Sequence, residues 1–313
     1  ILPHEFTLSK AKEDRLNLMK ATNCNFSQIY ALYMDEKHTT LATIDEQSKA
    51  KADLEFTDET GVTHRLWIET DEEIIAKLVA DFADRKLYIA DGHHRYETAL
   101  NYRNYCRENG ISKPGDPQDF QMIYLVDMEH PGLVVFPTHR LVRDLPNFDK
   151  EAVLEKCSEF FYIDEKEGTD TMEEDLKKLY DEGKKAFGFY CGKGEWFLLT
   201  LKNIDFMSQM LPNVSKASQS LDVSVLHTLI LEKIFGIDKE NMAKQINLTY
   251  TKFFTEAIDG VDKGEFQCSF VLNPTRVTEI RDVAAAGEKM PQKSTYFYPK
   301  MITGMVMNNL GVD

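Results

Sequence analysis

Cysteine is scarce in this sequence of 313 residues, and it is not arranged for cross-linking. The five cysteines are odd in number, widely scattered and without a C-x-x-C pair; they stand at positions 24, 106, 157, 191 and 268. This distribution excludes a disulfide framework and a cysteine-based zinc site. We therefore expect reduced thiols and a cytoplasmic location.

Long apolar runs are also missing. No stretch reaches the roughly 18 consecutive apolar residues of a membrane-spanning helix, and the first residues do not have the pattern of a signal peptide. We expect no membrane span. The chain begins at Ile1 and not at a methionine, from which we expect a fragment or a processed product.

Positive charge is in short supply. The chain has 37 Lys and Arg against 52 Asp and Glu, which gives a net charge of −15. Nonspecific nucleic-acid binding depends on neutralising phosphates with basic side chains, so a nucleic-acid partner is disfavoured. The balance favours a small-molecule substrate, and it still allows a local cationic pocket. The length suits one large or two medium domains.

The common glycine-rich phosphate motifs are absent. Neither G-x-x-x-x-G-K-[ST] nor G-x-G-x-x-G occurs, which excludes a P-loop and a dinucleotide-binding fingerprint. The pair Gly192 and Gly194 indicates a hairpin turn between two strands. If a nucleotide binds, its phosphates must be bound by a different kind of motif.

What the sequence does contain is a dense polar turn after residues 87–90, a predicted buried strand. Gly92 ends the strand pattern, and a helix is predicted from Arg95 to about residue 108. Backbone N–H groups at a helix start, together with a guanidinium, favour binding of a phosphate or carboxylate. Asp91 would orient a metal or a histidine, and His93 or His94 would move a proton.

The same turn has a purely structural interpretation. Asp91 would then cap the helix, and the two histidines would be hydrogen-bonded turn residues. The functional interpretation is favoured because a cap does not require three further polar groups. Adjacent histidines have poor spacing for chelation, so no metal site through both is predicted.

Three further groups carry candidate site residues. Glu5 is a candidate general base, or else part of a solvated pair near the chain end. His139 and Arg140 follow a strong strand and either face the same cleft or lie at an exposed strand exit. Lys293 and Ser294 are candidates to hold phosphate without a P-loop.

The remaining pattern predicts a mixed fold. Strands are expected at residues 28–34, 62–68, 120–126, 133–136, 160–163, 186–191, 195–201 and 266–272. Helices are expected at 9–21, from a capping box at 70–73 to Phe82, and at 221–235, 253–259 and 275–286. Residues 35–60 are predicted to be a polar surface excursion. Strands and helices alternate irregularly, so the class is α+β, or mixed α/β.

The sequence resembles the domain-of-unknown-function family 1015 (DUF1015) along nearly its whole length. The matching stretches are residues 2–7 with 14–16, then 89–99, 137–140, 221–227 and 290–297. Members usually carry an additional N-terminal segment, which agrees with the expected fragment. The family name implies no activity.

A local resemblance goes further. The turn Asp91-Gly92-His93-His94-Arg95 is similar to the signature of the ParB/sulfiredoxin-like superfamily, whose members include CTP-binding partition proteins, sulfiredoxin and kinases of free serine. The resemblance implies a ParB/sulfiredoxin-like core over residues 1–145, an additional α+β subdomain over 146–215, and a C-terminal α+β part over 216–313 that packs on the core.

The leading hypothesis is a cytoplasmic phosphotransferase that binds a nucleotide (ATP, ADP or CTP), with or without Mg²⁺, and phosphorylates a small hydroxyl compound such as serine. In this hypothesis Glu5 accepts the hydroxyl proton, as the resemblance to serine kinases implies, and Asp91 and His94 are also catalytic. The expected phosphate and nucleotide contacts are Gly92, His93, Arg95, His139, Arg140, Lys293 and Ser294.

Two alternatives stay open. One is a ParB-like nucleotide-dependent switch with DNA or protein partners. The other is a nuclease or other hydrolase with His93 or His94 as the base. The sequence leaves the substrate, the phosphate donor and the oligomeric state undetermined.

Overall fold

The computed structural model describes residues 1–3, 7 and 9–311. The α-helices are α1 Ser9–Thr22, α2 Thr39–Gln47, α3 Glu72–Phe82, α4 His93–Glu108, α5 Lys150–Cys157, α6 Met172–Asp181, α7 Asp205–Met210, α8 Lys216–Gln219, α9 Asp222–Val225, α10 Lys239–Lys244, α11 Phe254–Asp262 and α12 Val277–Ala285. A 3₁₀ turn covers Pro117–Asp119, and a π-helix covers Leu226–Glu232.

The strands are short and fall into several sheets. They are β1 Cys24–Asn25, β2 Ile29–Tyr33, β3 Leu54–Thr57, β4 Thr63–Leu66, β5 Tyr88–Asp91, β6 Ile123–Asp127, β7 Val134–Phe136, β8 His139–Val142, β9 Phe161–Glu167, β10 Ala186–Gly192, β11 Glu195–Leu201, β12 Leu248–Thr251, β13 Cys268–Val271, β14 Tyr296–Tyr298 and β15 Asn308–Asn309. The predicted mixed α/β class is confirmed.

A three-stranded sheet carries the polar turn at one end. Its order is β5-β2-β6, with β2 antiparallel to β5 and parallel to β6. All five residues of β2 are buried because it is the central strand and has packed layers on both faces. This rigid base fixes the position of Asp91 at the end of β5.

A six-stranded antiparallel sheet forms the second layer, in the order β12-β8-β13-β10-β11-β9. The predicted hairpin is β10–β11, turned at Gly192-Lys193-Gly194. Arg140 of β8 stands opposite Tyr250 of β12 in this sheet. The largest apolar cluster packs this sheet against the π-helix, and a smaller cluster packs its other face on α6 and α11.

Two further apolar clusters border the turn. One joins the three-stranded sheet to α12, Met290 and Phe297. The other joins α1 to α4 through Met19, Tyr102 and Cys106. The elements around the turn are therefore held by hydrophobic packing, which is the dominant favourable term in folding.

Two local predictions were wrong, and a third was incomplete. Residues 35–60 lie mostly at the surface, as predicted, but they also contain α2 and β3. The first turn of α3 is capped by Asp71, whose carboxylate accepts from the N–H groups of Glu73 and Ile74, and Thr70 is not the cap. The helical pattern predicted an apolar face for α3 made of Ile74, Ile75, Leu78, Val79 and Phe82. None of these residues is fully buried, and Ile75 and Val79 are exposed, because local periodicity does not specify the surface that a helix meets.

The helix predicted at 221–235 is the fourth difference. It begins as α9 but continues as the π-helix, and its residues are buried on nearly every side. The sequence pattern therefore predicted a helix here, but it did not predict the π-helical part or the burial of its residues by the six-stranded sheet and neighbouring helices.

The six-stranded sheet takes strands from all three predicted parts of the chain. The division at residues 145 and 215 therefore does not follow the sheets, and as a division into domains it stays a prediction. The five cysteines are unpaired. Within the described ranges, no helix is long and apolar enough to cross a membrane.

Candidate functional site

Gly92 sets the geometry of the turn between β5 and α4. Its backbone is left-handed (φ 95°, ψ 24°), a conformation that glycine adopts without strain. Its carbonyl accepts the first helical bond, from the N–H of Tyr96 at 2.9 Å. The helix therefore begins at His93, two residues before the predicted start, and its first-turn N–H groups point along the axis away from the helix.

Arg95 folds back over this turn. Its Nη2 lies 2.9 Å from Asp91 Oδ2, and its Nη1 donates to Ser27 Oγ at 3.0 Å. A Cβ at Gly92 would lie only 2.7 Å from Arg95 Nε. Gly92 is therefore required both for its backbone angle and for the close approach of the guanidinium. Lys300 Nζ lies 3.4 Å from the other oxygen of Asp91.

Glu97 is the second carboxylate of the site. The Thr7 hydroxyl donates to it, Lys12 Nζ bonds it at 2.8 Å, and Lys289 Nζ lies at 3.6 Å. Partial burial by itself raises the pKa of Glu97, but the hydrogen bonds from Lys12 and Thr7 outweigh it and the pKa is lowered. Glu97 is therefore ionised at neutral pH and ties the chain start, α1 and residue 289 to α4.

His94 lies among these charges. Burial lowers its pKa, and Arg15, Lys12 and Lys293 lower it further, while Glu97 opposes them. A histidine with a lowered pKa is neutral at pH 7, so its imidazole can accept a proton.

The described residues around the turn carry an excess of positive charge. We call this group the α4 site: the turn at residues 91–94, the carboxylates of Asp91 and Glu97, and the basic side chains of Lys12, Arg15, Arg95, Lys289, Lys293 and Lys300. Six cations face two described carboxylates in a chain whose net charge is −15. This is a local reversal of sign that favours an anionic ligand.

Arg140 lies beneath the α4 site. It is fully buried, and its guanidinium donates to the carbonyls of Thr138 and Lys293, the latter at 3.2 Å, and to His227 Nε2 at 3.3 Å. Burial lowers its pKa to about 10, so it stays charged at neutral pH. One guanidinium thus connects three of the stretches that the sequence singled out: residues 137–140, 221–227 and 290–297.

His139 and Ser294 are also buried. Burial lowers the pKa of His139 to about 4, and its Nδ1 accepts from the N–H of Leu272 at 3.4 Å. The Ser294 hydroxyl donates to the Pro291 carbonyl at 2.5 Å. Ser294 therefore supports the loop that carries Lys293, whereas His139 is tied to the residue after β13. Their predicted contact with phosphate stays a prediction.

Glu5, the predicted base, lies outside the described residues. The residues on either side of it are tied to the site: Leu2 exchanges backbone hydrogen bonds with Leu87 and Ile89 beside β5, and Thr7 bonds Glu97.

Several charged members of the α4 site were not predicted. Lys12 and Arg15 are three apart on α1 and therefore share a helix face, and Glu97 is three residues after His94. That spacing was present in the sequence, but nothing in it indicated that α1 packs on α4. Lys289 and Lys300 flank the stretch 290–297 that was singled out.

The described residues contain no group of three or more His, Cys, Asp or Glu side chains that could hold a metal ion. Asp91 with a bound phosphate would be a conventional set of oxygen ligands for Mg²⁺, which often uses one or two carboxylates plus substrate phosphates.

Comparison with known proteins gives a family and distant structural likenesses. The sequence profile described as "Protein of unknown function (DUF1015)" matches residues 1–224. No curated protein matches the chain.

Three solved structures are similar in outline. A conserved hypothetical protein from Pyrococcus furiosus is 15% identical with a TM-score of 0.45, covering 99% of this chain and 91% of that one. A free serine kinase in complex with AMP is 13% identical (TM-score 0.45; 95% and 83% covered). SbnI with C-terminal truncation from Staphylococcus aureus is 11% identical (TM-score 0.41; 98% and 81% covered).

Proposed function

This chain belongs to the DUF1015 family, and we propose that it is a nucleotide-binding phosphotransferase that acts on a small hydroxyl substrate. The observation that carries the proposal is the convergence of six basic side chains on the start of α4 in an acidic protein. A helix N-terminus with converging guanidinium and ammonium groups is a favourable environment for phosphates.

Phosphate binding is assigned to the turn itself. Arg95 already lies against Gly92 with its guanidinium in an ion pair, so a phosphate can replace the Asp91 carboxylate as its partner. Lys300 would make the same exchange, since it contacts the other oxygen of Asp91. The released carboxylate could then bind Mg²⁺, which would neutralise phosphate charge.

Phosphoryl transfer requires little covalent help from the protein. The substrate hydroxyl oxygen would form a bond to the terminal phosphorus as the bond to the bridging oxygen breaks, and the bridging oxygen would keep the electron pair. The hydroxyl proton would pass to Glu5 or to neutral His94. Positioning and charge neutralisation by the α4 site would supply most of the acceleration.

Arg140 has a positioning role in this proposal. Its buried guanidinium holds the backbone of Lys293 and orients His227, so Lys293 would reach the site from a fixed loop. Ser294 would act in the same way, since its hydroxyl donates to the Pro291 carbonyl of this loop.

The narrower proposal is that the substrate is free serine. It follows from the resemblance of the Asp91–Arg95 turn to the signature of the superfamily that includes free serine kinases. A cytoplasmic location belongs to the same proposal and is supported by five unpaired cysteines.

Calorimetric titration with pyrophosphate, ATP, ADP and CTP tests the assignment of the phosphates. Arg95→Ala should weaken binding by about tenfold or more, the loss of one charge-assisted hydrogen-bond pair. Arg107→Ala is the matched control, since Arg107 is on the same helix but binds Asp119 through two bonds of 2.6 and 2.8 Å.

Unchanged nucleotide affinity in Arg95→Ala would contradict the assignment of phosphate binding to this turn. Binding without turnover would support the nucleotide-dependent switch. Cleavage of a nucleic acid that is lost in His94→Ala would support a nuclease.

A further inference from the structure

A cavity of about 680 Å³ lies beside the α4 site. Its walls come from the π-helix, α10 and the loop at residues 287–292. This volume is in the range of small-molecule pockets, and walls that are mainly apolar with a few polar groups are typical of them. The roles proposed above for the α4 site do not use this space.

The π-helix forms one wall of the cavity. His227, Thr228 and Glu232 all face it, and they are the second, third and seventh residues of the π-helix. In an α-helix a turn of 3.6 residues would place Glu232 away from His227. Runs of i→i+5 bonding are rare and occur frequently at functional sites. The π-helical geometry therefore allows His227 and Glu232 to line the same cavity.

The cavity walls suit a neutral, flat group. Burial lowers the pKa of His227 well below its ordinary value, so its ring is neutral. His227 and Tyr250 both line the cavity, and the Arg140 guanidinium contacts each of them. Met242 and Leu211 add apolar surface, and Thr228 adds a hydroxyl.

The charged groups of the lining offset one another. Lys239 and Lys289 accompany Glu232 and Glu288, and the Glu288 carboxylate already accepts from the hydroxyls of Ser215 and Ser218. Such a lining has no net charge to attract an ion, in contrast to the neighbouring α4 site.

Two connections join the cavity to the α4 site. Lys289 lines the cavity and lies 3.6 Å from Glu97. Arg140 contacts His227 of the cavity wall and the backbone of Lys293. The charge of Lys293 in turn lowers the pKa of His94 in the α4 site. The loop at residues 287–293 thus borders both spaces.

We propose that this cavity holds the base and sugar of the nucleotide whose phosphates the α4 site binds. A pocket without net charge, lined by the Tyr250 ring and the His227 imidazole, lies beside a strongly cationic turn. This arrangement is complementary to a molecule with a neutral heterocycle at one end and phosphates at the other. This inference rests on the proposed function and extends it to a second part of the chain.

Separate probes for the two halves of the ligand test the inference. Adenosine and cytidine report on the cavity, and pyrophosphate reports on the α4 site. Ala243→Trp places a large ring from α10 into the cavity from a partly exposed position. Ala52→Trp is the control, since Ala52 is also partly exposed but does not line the cavity. Gln292→Trp fills the cavity from the loop at residues 287–292 if Ala243→Trp does not fold.

Ala243→Trp should weaken binding of the preferred nucleoside and of its triphosphate by about tenfold or more, and leave pyrophosphate affinity unchanged. Ala52→Trp should change neither. Nucleoside affinity that is the same in wild type, Ala243→Trp and Gln292→Trp would overturn the inference, as would binding of pyrophosphate without any binding of nucleosides. Nucleoside binding that Ala243→Trp abolishes, with no pyrophosphate binding, would support the cavity assignment and contradict the proposed phosphate site.

Discussion

Gly92 and Arg95 show how one residue without a side chain makes room for a functional one. The left-handed backbone at Gly92 turns the chain from β5 into α4, and the missing Cβ leaves the space that Arg95 Nε fills. The sequence predicted the break at Gly92 and the importance of Arg95. It could not predict their contact, which depends on the rotamer that Arg95 adopts toward Asp91.

Gly92→Ala should separate these two effects. Alanine in a left-handed conformation costs about 1 kcal/mol of folding free energy, and its Cβ would also displace the guanidinium of Arg95. We expect lower thermal stability together with a loss of pyrophosphate affinity of about tenfold or more.

Gly110→Ala is the matched control for this variant. Gly110 follows the other end of α4 with φ 69°, and a Cβ there would meet nothing within 4 Å. It should lose comparable stability and keep full affinity. Equal affinity in both variants, measured by calorimetry, would show that the position of Arg95 does not matter for binding.

His94 provides a pH-dependent observable. Burial lowers its pKa and Arg15 lowers it further, so Arg15→Gln should raise the pKa. A bound anion should also raise it, because negative charge stabilises the imidazolium. Binding of pyrophosphate should therefore take up protons as the pH falls toward the His94 pKa.

Titration of the His94 imidazole by NMR checks both effects. Lys20→Gln is the control, because the Lys20 ammonium lies 3.9 Å from the centre of the Tyr105 ring and is not among the groups that mainly shift the pKa of His94. If pyrophosphate does not change the pKa of His94, then His94 does not lie near the bound anion. If Arg15→Gln does not change it, then Arg15 does not act on His94.

At the level of elements, a buried charge cluster joins the six-stranded sheet to α9 and α12. Lys185, which precedes β10, lies 2.9 Å from Asp222 of α9 and 3.2 Å from Glu279 of α12. Burial raises the pKa of Asp222, and Lys185 opposes that rise. Asp222 and Glu279 thus share one ammonium group, and Glu279 also accepts from the N–H of Arg276 at 2.9 Å.

Lys185→Met should destabilise the fold by about 3 kcal/mol at pH 8, since it leaves a buried carboxylate without its partner. The Asp222 pKa should rise further in this variant, so at pH 5 protonation should relieve part of the cost. Urea unfolding at the two pH values measures the difference.

Lys177→Met is the control for this experiment, because Lys177 pairs with Asp181 on the exposed face of α6 at 2.5 Å. It should cost less than about 0.5 kcal/mol at both pH values. A loss in Lys185→Met as small as that of the control would contradict a structural role for the cluster.

Element types were predicted better than element surroundings. The strands β2, β5, β10 and β11 and the helices α1 and α4 follow from local apolar patterns and from Gly92 and Gly110. The π-helix and the exposed face of α3 did not follow, because they depend on which surfaces cover residues 226–232 and 72–82. Such tertiary contacts override local preference.

For the molecule as a whole, the distribution of charge matters more than its sum. The net charge of −15 disfavours a nucleic-acid partner. It does not show that six basic side chains lie around the start of one helix. Composition could suggest a local cationic pocket, and the family-like stretches indicated most of its loops. Its members Lys12 and Arg15 are more than 75 residues away from Arg95 along the chain, so only the packing of α1 on α4 shows that they belong to the site.

The central claim is that the α4 site holds a phosphoryl group for transfer to a hydroxyl. ³¹P NMR of the protein with ATP, ADP or CTP, Mg²⁺ and a mixture of hydroxyl amino acids tests this most directly. We expect a new phosphomonoester signal, phosphoserine in the narrower proposal, that disappears in Arg95→Ala and persists in Arg107→Ala. Nucleotides that stay intact, or that release only inorganic phosphate, would contradict it.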